Sequence, residues 1–347
     1  MSAGYEAALT GVAVAARVDR ARVRVTGRDP VGMLQGILTN RVPESAALSA
    51  TAPGVTRGRA AYSAVLTPKG KMVADLSVVR GPRGDDQGLL LDVPALALPG
   101  LLAHLGRYVP PRFAAAADVT AEVAALTVAG PGAEGLLSRD ALGLRVEAEE
   151  LRALAEGEWI WVDTGGAGVL VMRSGELSVA SFDVLADRGT ADALERVAQR
   201  AGAVPLTAAE LNVLRVEAGR PVWGAELTEE TIPPEAGIDA RAIDHTKGCY
   251  TGQEVIVRIR DRGHVNRRLR ALRLEGTVLP APGAELWVEG GERPVGAVTS
   301  AVLSPRAGAL ALSYLRREVA VPGEVRLGAS DGPRARACEA SEGWWLD

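Results

Sequence analysis

The sequence predicts an α+β protein: two related α+β modules followed by a small antiparallel β-barrel or sandwich. Three observations carry this. A strand–Gly–helix start near residue 21 recurs 103 residues later, and short alternating runs broken by Pro and Gly take over after about Asn266. The chain has 347 residues, 47% of them hydrophobic, with no linker or low-complexity segment, which suits two or three closely packed domains.

Each element follows from local pattern. ARVRVTG (21–27) alternates with period two and reads as a strand, and DPVGMLQGILTN (29–40) reads as a short helix that Asn40 terminates. AAYSAVLT, KMVADLSVV and GLLLDVP are further strands, with TPKG (67–70) as a hairpin turn between the first two and a helix near 95–107. The second module repeats the opening: VTGRDPVGML (25–34) and VAGPGAEGLL (128–137) share Val, Gly, Gly and Leu without a gap. WIWVDT, GVLVMR and LSVASFDVLA then read as strands, followed by a helix over 190–202. In PLTAAELNVLRVEAGRP, Thr207 and Glu210 form a capping box, with Leu211, Leu214 and Ala218 at helical spacing toward a core. Thr251 and Glu254 form a second candidate box, with Tyr250 and Val255 as its hydrophobic staple. The domains expected are 1–119, 120–265 and 266–347, the last holding runs such as AELWVEG and EVRLGA.

Composition narrows the function. The net charge of −4 argues against general polyanion binding, and 4% aromatic residues argue against a base-stacking RNA module. No apolar run is long enough to span a bilayer, and the apolar stretch Ala7–Val18 lacks a basic leader, so a cytoplasmic location is expected. Cys249 and Cys338 cannot build a disulfide framework or a four-cysteine metal site. Nucleotide-binding glycine loops and hydrolase motifs are missing. Of 39 basic residues 36 are Arg, and the three lysines, Lys69, Lys71 and Lys247, fall in just two segments, TPKGK and TKGC. A lysine amine and an arginine fork are not interchangeable, so the clustering marks both segments.

The densest segment is HTKGCYTGQEVIVRIRDRGH (245–264). Cys249, just before a helix and two residues from Lys247, sits where a positive field would favour thiolate; a buried, inert thiol in a glycine turn is the plain alternative. His245 with Cys249 is too few ligands for a metal site. Glu217 lies beside an apolar stripe and reads equally as an acceptor for heterocycle N–H groups or as an ion-pair partner of Arg215 or Arg220. Arg258, Arg260, Arg262, Arg267, Arg268 and Arg270 form the most basic stretch, suited to a carboxylate tail, a phosphate, RNA or plain solvent.

KGCYTGQE (247–254) resembles the signature of the YgfZ-type folate-binding proteins, relatives of the glycine cleavage T-protein (aminomethyltransferase). VTGRDPVGMLQGILTN (25–40), LTPKGKMVADLSVVR (66–80), LRVEAGRP (214–221) and IPPEAG (232–237) agree in order, so the resemblance spans nearly the whole chain. It implies three domains in a ring with tetrahydrofolate, or a one-carbon derivative, in the central opening. It also implies a role in supporting iron–sulfur client or assembly proteins, in some members influencing tRNA modification indirectly; a monomer with no stable nucleic acid or membrane partner is expected. In its terms Glu217 would contact the pterin, and Lys247 and Cys249 would form a reactive edge. Tyr250, Gln253, Glu254 and Asn40 are further candidate folate contacts, and Arg258, from charge alone, a partner for the folate's glutamate tail. Where aminomethyltransferases carry two adjacent acids, this chain reads Ala74-Asp75. Asp75 is thus the third catalytic candidate, and a true folate-dependent aminomethyltransferase or methyltransferase is the enzyme alternative, with an RNA-binding adaptor as a third. No tryptophan falls in the stretches around Arg20 and Leu211 that are comparable to the folate-lining ones.

Overall fold

A computed structural model describes residues 2–48, 55–81, 88–138, 142–164, 168–341 and 343–345. The first part of the chain runs α1 (Ala3–Thr10), β1 (Ala13–Ala16), β2 (Arg20–Gly27), α2 (Pro30–Gln35), β3 (Ala47–Leu48), β4 (Val55–Arg59) and β5 (Ala61–Leu66). It continues through β6 (Met72–Arg80), β7 (Leu89–Pro94), α3 (Leu98–Tyr108) and β8 (Ala114–Asp118). The second part holds β9 (Val123–Ala129), α4 (Ala133–Leu137), α5 (Ala148–Arg152), β10 (Glu158–Asp163), β11 (Gly168–Ser174), β12 (Ser181–Asp187) and α6 (Arg188–Arg200). β13 (Val204–Pro205) and α7 (Ala208–Glu217) follow, and then the short helices α8 (Pro233–Ala236) and α9 (Asp239–Ala242) and the longer α10 (Gln253–Arg262). The last strands are β14 (Arg267–Leu274), β15 (Glu285–Trp287), β16 (Gly296–Ser304), β17 (Gly308–Arg316), β18 (Gly323–Leu327) and β19 (Arg334–Glu339).

The repeated opening takes the same shape twice. Gly27 (φ 139°) and Gly130 (φ 113°) each end a strand in a conformation closed to other residues. A Cβ at Gly27 would lie 2.5 Å from the carbonyl oxygen of Phe113, and one at Gly130 2.6 Å from that of Gly11. Asp29 caps α2 by accepting from the Gly32 amide at 2.8 Å, with Pro30 at the first helical position. The helix stops at Gln35, short of the expected Asn40, because Gly36 closes it and Leu38 bridges to Val65 of β5.

The modules exchange edge strands. β1 leads into β2 but pairs with β9, whereas β8 leads into β9 but pairs with β2. The outcome is an eight-stranded sheet, β13-β1-β9-β12-β11-β10-β4-β3, and a five-stranded sheet, β5-β6-β7-β2-β8. Only Ala60 separates β4 in the large sheet from β5 in the small one. Strand pairing therefore crosses the sequential division between 1–119 and 120–265.

Side-chain alternation sets four layers. On β6, Ala74, Leu76 and Val78 pack beneath α2 and α3, and on β9 and β12, Leu126, Val128, Phe182 and Val184 pack beneath α4, α5 and α6. The opposite faces meet through Val79, Trp159, Leu170, Met172 and Leu185, each such fully buried side chain contributing roughly 1.5–3 kcal/mol.

The C-terminal strands settle the barrel-or-sandwich alternative: β14-β17-β16-β15-β18-β19 close into a barrel, with β19 pairing back onto β14. The barrel docks on α7 and α8. The TPKG turn is as expected, with Gly70 at φ 74° and the Thr67 amide donating to Lys71 O at 2.8 Å. The Thr207–Glu210 capping box also forms. The Thr251–Glu254 box does not: α10 begins after Gly252 in the left-handed region (φ 83°), whose Cβ would lie 2.6 Å from Thr67 O. The close approach of the two loops, rather than a side-chain cap, fixes this helix start.

Candidate functional site

The two sheets diverge at one end and leave a cavity of about 550 Å³, closed by the Glu176–Leu177 loop, α7 and the Pro221–Trp223 segment. None of its lining residues comes from the barrel. Strand register builds its polar wall. Tyr62 lies opposite Ser77, Ser77 opposite Asp92 and Asp92 opposite Arg22, a row across β5, β6, β7 and β2, with Asp75 one diagonal step away on the same face. The large sheet contributes Asp183 from the facing side.

Charges inside this space are unevenly matched. Arg20 grips Asp92 through Nε to Oδ2 at 2.9 Å and Nη2 to the main-chain oxygen at 2.9 Å. Arg22 donates Nη1 to Arg20 O at 2.9 Å. Asp183 accepts from Thr127 at 2.6 Å; burial raises its pKa against the pull of Arg17. Glu176 moves the other way: burial opposes ionisation, but Arg241 at 2.9 Å more than compensates and holds the carboxyl below its usual range.

Asp75 stands apart. It is 6% exposed, Oδ2 accepts from the Tyr62 hydroxyl at 3.1 Å, and Oδ1 is buried with no hydrogen-bond partner. Burial raises its pKa, Glu176 adds to that and Arg20 opposes it. A buried carboxyl with one open oxygen on a cavity wall can hold or release a proton there.

The other nominated residues lie elsewhere. Glu217 is fully buried on the face of α7 turned away from the cavity, and protein donors fill its carboxylate: Tyr5 Oη at 2.5 Å, Ser178 Oγ at 2.7 Å, Ser304 Oγ at 2.6 Å and Arg306. Its carboxylate thus ties α1 to the Ser178 loop and the barrel, and Glu217 lies outside the cavity. Lys247 does not face Cys249. Its Nζ donates to the carbonyls of Gln35 (2.8 Å), Leu38 and Asn40 (3.1 Å), closing the C-terminal end of α2, and burial pushes its pKa down to about 8. Cys249 is exposed, Tyr250 is buried in the core shared with the barrel, and burial pushes its phenol up to about 12. Gln253 is half-buried at the start of α10, and Glu254 and Arg258 are exposed on it. None of the five lines the cavity. Asn40 lines a second, more open groove of about 830 Å³ that shares Tyr62 with the cavity, and its amide donates to Tyr62 O and Arg241 O.

Of the nominated residues Asp75 lines the cavity; Arg20, Arg22, Tyr62, Asp92, Glu176, Asp183 and Trp223 line it too and carry no nomination from the sequence. Trp223 lines the cavity from outside the two stretches searched for tryptophan. A usable signal existed: a single Asp within an otherwise apolar strand (VADL, LLLDV, FDVLA) needs a partner or a ligand once both faces of the sheet are covered.

Comparison with known proteins agrees with this architecture. The model of the GCVT N-terminal domain matches residues 2–247, and that of the glycine cleavage T-protein C-terminal barrel domain matches 267–338. The chain belongs to the glycine cleavage T-protein family. Within it, an aminomethyltransferase of Rubrobacter xylanophilus is 33% identical over 297 residues, covering 85% of this chain and 74% of the relative. One from Corynebacterium jeikeium is 29% identical, covering 89% and 79%. The crystal structure of the glycine cleavage system aminomethyltransferase T from Bartonella henselae shares the fold, with a TM-score of 0.81 at 19% identity over 98% of this chain and 88% of that one. As in the expectation from sequence, this T-protein relative is α+β with a C-terminal barrel. No helix among the described residues is long and apolar enough to cross a membrane.

Proposed function

We propose that this chain binds a reduced folate in the cavity between the two sheets and acts on its one-carbon unit, as a folate-dependent aminomethyltransferase-type transferase. The observation that carries the reading is Asp75: a buried carboxyl, held at one oxygen by Tyr62 and open at the other, on the wall of a cavity of about 550 Å³, large enough for a pterin ring and part of its tail. The relatives named aminomethyltransferase support the reaction class. In such a transfer two folate N–H groups are exchanged for bonds to the methylene carbon, and the two protons they give up leave with the donor's amine and with the group that carried the aminomethyl unit. A single carboxyl of raised pKa serves both directions. The neighbouring Ala74 packs into the core beneath α2 and α3, so one acid of the usual pair is replaced where no ligand could reach it.

Two measurements test the reading. Titration calorimetry with tetrahydrofolate is expected to show saturable binding, and incubation with an aminomethyl donor is expected to yield methylene-tetrahydrofolate with turnover. Absence of binding removes the ligand; binding without turnover removes the transferase.

A second reading, support of iron–sulfur enzymes in the manner of the YgfZ-type proteins, is favoured by one observation: Cys249 of the KGCYTGQE segment is exposed, away from the cavity and free to meet a partner. It predicts that Cys249→Ser leaves folate affinity intact while lowering the activity of iron–sulfur enzymes in cells. Unchanged enzyme activity would dismiss it.

A further inference from the structure

Four of the unpartnered buried side-chain atoms among the described residues belong to three residues that line the cavity: Nε and Nη2 of Arg22, Oδ1 of Asp92 and Oδ1 of Asp75. Arg22 is 2% exposed, and its guanidinium is pinned at Nη1 by the main-chain oxygen of Arg20, leaving the other side of the fork without a hydrogen bond. Its Nε lies 3.2 Å from Asp92 Oδ1, close enough for charge attraction but without hydrogen-bond alignment. Asp92 is fixed in turn by Arg20, which holds both its Oδ2 and its main-chain oxygen. The buried fork and the buried carboxylate oxygen are thus paired by charge but not by an aligned hydrogen bond, and a ligand that hydrogen-bonds to both supplies what this pair lacks.

Donor next to acceptor on a flat, rigid wall complements a planar ring edge that presents a carbonyl next to an N–H. The 2-amino-4-oxo edge of a pterin is such an edge. Cross-strand register then orients the rest of the ring. Arg22 lies opposite Asp92, Asp92 opposite Ser77, and Asp75 two residues along β6 from Ser77, which puts it a diagonal step of roughly 7–8 Å from Asp92. That step is about the length of a two-ring heterocycle.

We infer that Arg22 and Asp92 are the residues that read the pterin: Asp92 accepts from the ring N–H and the 2-amino group, Arg22 donates to the 4-oxo oxygen, and the opposite edge of the ring is thereby turned toward Asp75. This rests on the folate reading above and assigns to Arg22 and Asp92 the recognition that Glu217, already saturated, cannot perform.

The test uses the intact chain and needs no mutation for its first arm. Equilibrium titration at neutral pH compares tetrahydrofolate with its analogue carrying a 4-amino group in place of the 4-oxo group. The wild-type protein is expected to bind the analogue at least about tenfold more weakly, because the carbonyl that Arg22 reads and the N–H that Asp92 reads are both lost. In the second arm, Arg22→Met and Asp92→Asn are each expected to raise the Kd for tetrahydrofolate by about ten- to a hundredfold, with melting curves showing that the measured protein is folded. If a variant does not fold, the comparison of the two ligands decides alone. Equal affinity of the wild type for both ligands overturns the inference while leaving the folate reading standing, as do folded variants of both residues with wild-type affinity. No binding of tetrahydrofolate to the wild type overturns both.

Discussion

The Tyr62 hydroxyl donates to Oδ2 of Asp75 across 3.1 Å and leaves Oδ1 buried and open, so the two oxygens of one carboxyl have different work. Asp75→Asn keeps the shape and removes the proton-handling oxygen. Turnover is expected to fall by about 10²- to 10⁴-fold. Stability should move the other way. Burial raises the folded-state pKa of Asp75, so as pH rises above the ordinary Asp range the unfolded chain ionises first and stability is lost until the folded carboxyl ionises too. The variant carries no such penalty and is expected to melt no lower than wild type at neutral pH, the difference shrinking toward pH 4. A clear loss of melting temperature in the variant at neutral pH would contradict the account of Asp75 as a strained acid.

Glu217 gives the opposite signature. Its carboxylate gathers Tyr5 from α1, Ser178 from the loop beside the cavity, and Ser304 and Arg306 from the barrel. Glu217→Ala strands all four donors, of which the Tyr5 and Ser304 hydroxyls are buried, at a cost of about 1–3 kcal/mol for each buried one. A marked drop in melting temperature is expected, with the protein that remains folded at low temperature binding tetrahydrofolate within a few-fold of wild type. Collapse of affinity without loss of stability would return Glu217 to the ligand.

These two residues show what the sequence can and cannot tell. The fold was legible because periodicity and turn chemistry are local: the strand–Gly–helix repeat, the TPKG hairpin and the Thr207 cap all form. The strand exchange was not legible, since β1 and β8 look alike whichever sheet they join, and only long-range pairing decides. Around the site, Asp75 is named by the resemblance, as what remains of the family's paired acids, and it also interrupts an apolar strand. Glu217 does so on a helix, and nothing in its spacing says that four protein donors wait on that side. Arg20 and Arg22 alternate with Ala21 and Val23 in the pattern of a solvent-facing strand; their polar face is turned instead to an enclosed cavity because a second sheet covers it.

Lys247 bears on the scarcity of lysine. Three carbonyls, of Gln35, Leu38 and Asn40, converge on one point, which suits a tetrahedral ammonium and not a planar fork. Lys247→Met is expected to cost about 1–3 kcal/mol through the unsatisfied carbonyls, seen as a melting temperature several degrees lower. Lys247→Arg should not restore it, because the guanidinium is too wide for the cage. If the arginine variant melts like wild type, the lysine has no special fit.

Cys249 provides the sharpest separation between the cavity and the signature segment. Its thiol is exposed, it lines neither the cavity nor the groove, and the amine of Lys247 is turned away from it into the carbonyl cage. Maleimide labelling of the folded protein is therefore expected to reach Cys249 readily, while Cys338, half-buried in the barrel, reacts more slowly. Saturating tetrahydrofolate should leave the Cys249 rate unchanged, and the labelled protein should keep its folate affinity, because the ligand and the thiol occupy separate surfaces. Mass spectrometry of the labelled peptide over time, with and without folate, reads this directly. Protection of Cys249 by folate would bring the thiol back to the ligand and place the folate at the mouth of the signature segment instead of between the sheets.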